Sequence, residues 1–201
     1  MESTKRTINI ALIGSGAMGR AHAAAVANLR YCYNPLPFEA VLHTLVTRDE
    51  NSAREKADRL GFANYSTDYT AVLENPEIDV IDVCTPNICH YEEVKAALAH
   101  GKNVLCEKPL GITAAQAEEL AALAEKTDSV CGVVFNNRHL PAAIRAASLV
   151  AEGRLGKSCP SAVPICIRQA PTRPSRAVGS RTKIFAAAVC YLISVRTPSI
   201  F

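Results

Sequence analysis

At 201 residues the chain has room for one good-sized domain and a further segment, and 49% hydrophobic with 20% charged residues is the balance of a soluble globular protein, not of a disordered one. The longest apolar stretch, the 12 residues 184–195, falls short of the ~20 that a membrane helix needs, and the MESTKR start lacks the apolar core of a signal peptide. The expectation is therefore a cytoplasmic protein with no membrane partner.

The net charge of +3 hides a split. All 19 acidic residues precede Ser158, accompanied by 16 Lys and Arg, whereas the last 44 residues hold 6 basic and no acidic ones. Six charges dispersed among five prolines make a poor nucleic-acid reader, and no nucleic-acid partner is expected.

Along the chain, Ile8, Ile10, Leu12 and Ile13 predict a buried parallel strand over 8–13. It runs into Gly14, Gly16 and Gly19, spaced G-x-G-x-x-G, and the Ala-rich residues 20–29 predict a helix. In that setting Gly14 takes a tight turn, Gly16 removes a side chain where a pyrophosphate can approach, and Gly19 lets the helix pack closely on the strand. Free N–H groups at the helix start, those of Ala17 and Met18 among them, would hold the phosphate charge with the helix dipole. A plain strand-turn-helix is the alternative.

Residues 31–38, YCYNPLPF, predict a loop, and 40–47 a second strand ending at Thr47 and Arg48. Asn51 or Ser52 can cap a helix to Leu60, with Gly61 as its stop. Residues 65–74 suggest a short strand edge and a helical turn, and 78–84, IDVIDVC, a strand ending at Thr85, Pro86 and Asn87. A helix over 90–100 turns Val94, Ala97 and Leu98 inward and stops at Gly101; a strand over 103–106 leads into Glu107, Lys108 and Pro109. Thr113 and Gln116 form a capping box for a helix to Lys126, a sixth strand covers 130–135, and a last helix covers 141–152, stopped by Gly153 and Gly156. Cys84, Cys106 and Cys131 lie in or beside apolar runs and no C-x-x-C occurs, so reduced thiols and no metal site are expected.

Strands alternating with helices from 8 to 156 imply βαβ units and an α/β fold, a doubly wound parallel sheet of the Rossmann kind. Its ligands would bind beyond the carboxyl ends of the strands. Those ends are 14–19, Thr47 with Arg48, Thr85 to Asn87, Glu107 to Pro109, and Asn136, Asn137 and Arg138. The domain spans 1–157, and 158–201 form a Pro/Arg-rich tail.

Four segments, IGSGAMGRAH, DVIDVCTPNICH, GKNVLCEKPLGIT and GVVFNNRHLPA through EGRLG, resemble in order and spacing the glucose-fructose oxidoreductase and inositol dehydrogenase family, Gfo/Idh/MocA. The likeness covers about residues 7–157. It implies an NAD(P)-dependent oxidoreductase acting on sugars or polyols.

The resemblance implies that Gly14, Gly16, Ala17, Met18 and Gly19 hold the pyrophosphate, that Thr47 and Arg48 read the adenine ribose, and that Thr85, Pro86, Asn87, His90, Glu107 and Lys108 lie on the nicotinamide side of the cofactor. An Arg at position 48 can meet a 2′-phosphate with a charge-assisted fork, which favours NADP over NAD, although Asp49 argues the other way. His90 at a helix start also suits capping or packing. Lys108 is the implied catalyst, placed by Glu107, and Asn136 and Arg138 are implied on the substrate side.

The family continues with a second α/β domain that carries an Asp-x-x-x-His pair and through which relatives usually form oligomers. Residues 158–201 match none of it, as a shifted reading frame or a misjoined gene end would read, with a genuine short appendage as the alternative. The chain is thus expected to be the cofactor half of a dehydrogenase, catalytically incomplete as it stands, with a non-catalytic NAD(P)-binding module or sensor as the alternative.

Overall fold

A computed structural model of the protein describes residues 6–154. The expectations for the tail and for the Gly156 stop lie outside the described residues. Six strands form one sheet: β1 (Arg6–Ile13), β2 (Phe38–Val46), β3 (Asn64–Ser66), β4 (Val80–Val83), β5 (Asn103–Glu107) and β6 (Cys131–Val134). Their order is β3-β2-β1-β4-β5-β6, and every neighbouring pair is parallel. Helices α1 (Ala17–Cys32), α2 (Glu50–Leu60), α3 (Tyr69–Glu74), α4 (Asn87–Ala99) and α5 (Ala114–Ala124) make the connections, and α6 (Pro141–Ala151) follows β6. The doubly wound reading therefore stands.

The strands lack a polar face because both faces are covered. Ile10 and Leu12 of β1 pack with Ala23 and Val26 of α1 and Ala57 of α2. The alternate residues, Ala11 and Ile13, pack on the other side with Val94 and Leu98 of α4 and Leu120 of α5. Register then aligns the ends: Ile13 lies opposite both Val46 and Val83, Val83 opposite Cys106, and Cys106 opposite Val133. The residues that follow each strand emerge together along one edge.

Local chemistry moved several boundaries. Helix α1 runs to Cys32, so the expected 31–38 loop is shorter; the first strong barrier to helix is the residue before Pro35, which sterics keep out of helical geometry. Helix α2 starts at Glu50 because Asp49, not Asn51 or Ser52, caps it, accepting from the Ser52 N–H at 2.8 Å. Gly61 ends that helix as expected, at φ +81°. Helix α4 begins at Asn87, since Pro86 pre-sets the turn and nothing delays the helix to His90. The Thr113–Gln116 capping box forms as read. Helix α6 buries none of its residues, and Ile144 and Val150 are each 55% exposed.

Two glycines fix how α1 meets the sheet. Gly14 sits at φ +96°, and a Cβ there would lie 2.7 Å from the Cys84 carbonyl oxygen. A Cβ on Gly19 would collide with the Gly14 carbonyl oxygen, whereas one on Gly16 meets nothing within 4 Å. Gly19→Ala is expected to lower unfolding free energy by about 1–3 kcal/mol, the range for overpacking, and Gly16→Ala by under about 1 kcal/mol. Urea denaturation of both variants checks the contrast.

Candidate dinucleotide site

The glycine loop offers backbone and little else. Gly16 is the N-cap of α1 with no side-chain cap, and the first turn carries no acidic residue. The N–H groups of Ala17, Met18 and Gly19 are first-turn donors without an intrahelical acceptor, and the helix dipole adds partial positive charge there. Gly16 and Ala17 are exposed, Met18 is half-buried, and the Arg20 guanidinium reaches back to the Ser15 carbonyl at 3.4 Å. The open side of Gly16 is where a phosphate can approach the backbone. These features fit a dinucleotide.

At the end of β2, the Thr47 hydroxyl donates to the Asp49 carbonyl at 3.1 Å, and the Asp49 carboxylate caps α2. Arg48 is exposed and makes no ion pair among the described residues. The carboxylate at this edge is thus committed to the helix, and the guanidinium faces solvent.

Beyond β4, Pro86 and Asn87 are exposed at the start of α4, but Thr85 is tied down. Its hydroxyl donates to Glu93 at 2.5 Å, and burial pushes the Glu93 carboxyl above its usual range, although that hydrogen bond opposes the shift. His90, expected among cofactor contacts, is 0% exposed. Its Nδ1 lies 2.7 Å from the Pro109 carbonyl and its Nε2 2.9 Å from the Thr85 carbonyl. The ring joins the loop after β4 to the loop after β5 and is shielded from the groove.

Beneath β5 lies a cluster that the sequence reasoning missed. His22 of α1 is fully buried with Asp82 of β4 and Glu107 of β5. Nδ1 faces both Asp82 oxygens at 3.0 and 2.9 Å, and Nε2 faces Glu107 Oε1 at 3.2 Å. Burial alone would depress the ring; the Asp82 charge and the hydrogen bonds with Asp82, Cys84 and Glu107 outweigh it and hold His22 well above its ordinary 6.5. Burial opposes ionisation of Glu107, but His22 and the Lys108 N–H bring its carboxyl below the usual range.

Asp82, His22 and Cys84 place ligand-type atoms within 4.8 Å of one another. They do not suit a metal, because both ring nitrogens are engaged by carboxylates and burial pushes the Cys84 thiol up to about 12, where a metal needs a free nitrogen lone pair and a thiolate.

Glu107, also expected at the cofactor, is 5% exposed; its second oxygen accepts from the Lys108 backbone N–H at 3.0 Å. Lys108 itself is exposed at the edge, followed by a cis Pro109. Asn136 and Arg138 stand in a 3₁₀ turn (Asn136–His139) after β6, with Asn136 half-buried and Arg138 stacked 5.1 Å over the Phe135 ring.

A fold of this order with these loops along one edge matches a family model described as an oxidoreductase family with an NAD-binding Rossmann fold, GFO_IDH_MocA, over residues 8–135. The chain belongs to the Gfo/Idh/MocA oxidoreductase family. It is 34% identical over 152 residues to levoglucosan dehydrogenase of Pseudarthrobacter phenanthrenivorans, covering 76% of this chain and 39% of that protein. It is 34% identical over 137 residues to D-glucoside 3-dehydrogenase of Escherichia coli, covering 67% of this chain and 36% of the relative.

Among solved structures, levoglucosan dehydrogenase in complex with NADH superposes with a TM-score of 0.73 at 34% identity, covering 76% of this chain and 41% of that one. An NAD-binding oxidoreductase from Klebsiella pneumoniae gives 0.72 at 39% identity, covering 75% of this chain and 40% of that one. The chain thus spans about 40% of the length of these Gfo/Idh/MocA relatives. No helix among the described residues is long and apolar enough to cross a membrane.

One signal could have found His22. Asp82 is a carboxylate inside an apolar, β-branched strand, and a buried charge demands a partner. The cluster also sets a pH dependence. His22 is raised in the folded chain, so its stabilisation is complete below pH 6.5 and is lost as pH rises toward its folded value; Glu107 is lowered, so its share is present above 4.5 and is lost as pH falls through its folded value. Between pH 7 and 8.5 the unfolding free energy is expected to fall by about 1.4 kcal/mol per pH unit, one proton released on unfolding. Chemical denaturation across that interval measures it, and a flat profile would mean a neutral His22 in the fold.

Proposed function

We propose that the chain is the cofactor-binding part of an NAD(P)-dependent oxidoreductase acting on a sugar or polyol, with Lys108 at the reacting centre. The observation that carries this reading is the exposed Lys108 at the end of β5, seated on a buried carboxylate, on the same edge as an uncapped, glycine-lined helix start. Relatives named for levoglucosan and D-glucoside oxidation support the substrate class.

A nicotinamide dinucleotide bound here supplies the hydride acceptor or donor. The first-turn N–H groups of α1 hold its pyrophosphate, with Gly16 leaving the approach clear. The exposed Arg48, beside an Asp49 spent on a cap, supports NADP over NAD, although the structural relative binds NADH. The Lys108 ammonium orients the substrate hydroxyl and stabilises charge developing on its oxygen, and Asn136 and Arg138 face the substrate from the next loop. The unpaired Cys32, Cys84, Cys89, Cys106 and Cys131 suit a reducing cytoplasm.

A second reading, a nucleotide-binding module without turnover, is favoured by one feature: every group the described residues bring to the groove comes from the sheet edge, a single wall. Preorganising donor and acceptor from both sides is worth about 7–11 kcal/mol of barrier. Turnover of the 201-residue chain with a panel of sugars and polyols is therefore expected to fall roughly a thousandfold or more below that of levoglucosan dehydrogenase. Comparable rates, abolished by Lys108→Ala, would show a second wall within this chain.

Calorimetry separates the binding claims. Gly16→Val should weaken NAD and NADP alike. Arg48→Ala should cost about 1.5–3 kcal/mol for NADP and little for NAD, and equal losses would contradict the 2′-phosphate assignment.

A further inference from the structure

We infer that His22 is a positioning residue for Lys108: bonded to Asp82 and Glu107, it ties the start of the Lys108 loop to helix α1, the same helix whose first turn forms the phosphate cradle. That this matters for chemistry rests on the proposed role of Lys108.

The connection is continuous. Asp82 holds His22 Nδ1 at 2.9 Å, His22 Nε2 reaches Glu107 Oε1 at 3.2 Å, and Glu107 Oε2 takes the Lys108 backbone N–H at 3.0 Å. The contacts join α1, β4 and β5, with sequence separations of 60 and 85 residues. His22, Asp82 and Glu107 are 0%, 2% and 5% exposed, whereas Lys108 is exposed. Burial thus changes abruptly between residues 107 and 108, and the last held atom before the free side chain is the Lys108 amide.

The same geometry excludes other uses. With its ring out of solvent and both nitrogens turned to carboxylates, His22 cannot pass a proton to a ligand in the groove. Glu107 has one oxygen on His22 and the other on the Lys108 amide, so it acts on Lys108 from beneath. The charged and titratable groups that face the ring include Asp82 of β4, Cys84 just after that strand, and Glu107 of β5.

Histidine suits this place because an imidazolium donates at two opposite ends and carries the charge that two buried carboxylates require. Glutamine can donate from only one end. His22→Gln therefore leaves one of the two carboxylates without its donor, and in either case the tie that runs from Asp82 through residue 22 to Glu107 is broken, so the acceptor of the Lys108 amide is no longer fixed.

The test is amide hydrogen exchange resolved by residue. In His22→Gln the Lys108 amide should exchange about tenfold faster or more, the equivalent of one lost hydrogen bond to a charged group, while Ala25 and Val26 of α1 and Leu105 of β5 keep their protection. An unchanged Lys108 amide overturns the inference. So does a rise shared equally by all four positions, because His22 would then serve only overall stability.

A second measurement needs no variant. Nitrogen-15 spectra of the wild-type chain at pH 8 should show a hydrogen on each His22 ring nitrogen, and a single N–H would mean that the bridge is not made. NADH and NADPH titrations run beside these. If the wild type binds neither, the proposed function fails while the exchange result still decides the bridge; if both bind and the Lys108 amide is indifferent to residue 22, the positioning role fails alone.

Discussion

The closeness of α1 to the sheet is the constraint from which the rest follows. The helix can lie where it does only because residue 19 has no Cβ to strike the Gly14 carbonyl, and because Gly14 has none to strike Cys84. That contact sets the helix start at the carboxyl edge beside the end of β4, where its unsatisfied N–H groups are useful. It also has an effect one turn later. His22, three residues beyond Gly19, is carried down onto the sheet far enough to reach Asp82 and Glu107. A bulkier residue 19 would lift the helix, and with it both the N–H groups of its first turn and the buried imidazole.

Such a cluster is costly. Each buried carboxylate loses several kcal/mol of solvation, and only a well-placed counter-charge with good hydrogen bonds offsets it. Apolar residues of the same volume often serve stability as well as such a cluster does, and what these charges add here is a fixed acceptor beneath the Lys108 amide. His90 plays a comparable part with neutral partners, bonding the carbonyls of Thr85 and Pro109 across two loops. The end of β5 is therefore held from α1 on one side and from α4 on the other.

The sequence was most legible where a pattern had a single physical solution. Apolar strands with both faces covered, glycines at a strand-to-helix turn and the Thr113–Gln116 box all formed as expected. Boundaries shifted where two local rules competed: Asp49 outbid Asn51 and Ser52 as a cap, and Pro86 started α4 ahead of His90. His22 was illegible because an isolated histidine in an Ala-rich helix carries no periodic signal; its meaning depends on carboxylates 60 and 85 residues away. His90 and Glu107 stand at the expected loops but point inward, a distinction that residue type alone does not make.

The groups at the site divide accordingly into a held centre and free flanks. Lys108 and Thr85 are hydrogen-bonded to buried carboxylates, whereas Arg48 is exposed without an ion pair among the described residues and Arg138 stacks on the Phe135 ring. Exposed side chains with no buried partner can be exchanged at little cost in stability, usually within about 0.5 kcal/mol. Residue 48 follows β2 and residue 138 follows β6, so both can change without disturbing the hydrogen bond that seats Lys108. The cap at Asp49 sharpens this asymmetry: an acidic residue at the end of β2 can serve the ribose hydroxyls or the helix N–H, and here the helix holds it. With Asp49 so engaged, the group left in solvent at that edge is the Arg48 guanidinium, which the proposed 2′-phosphate contact needs free.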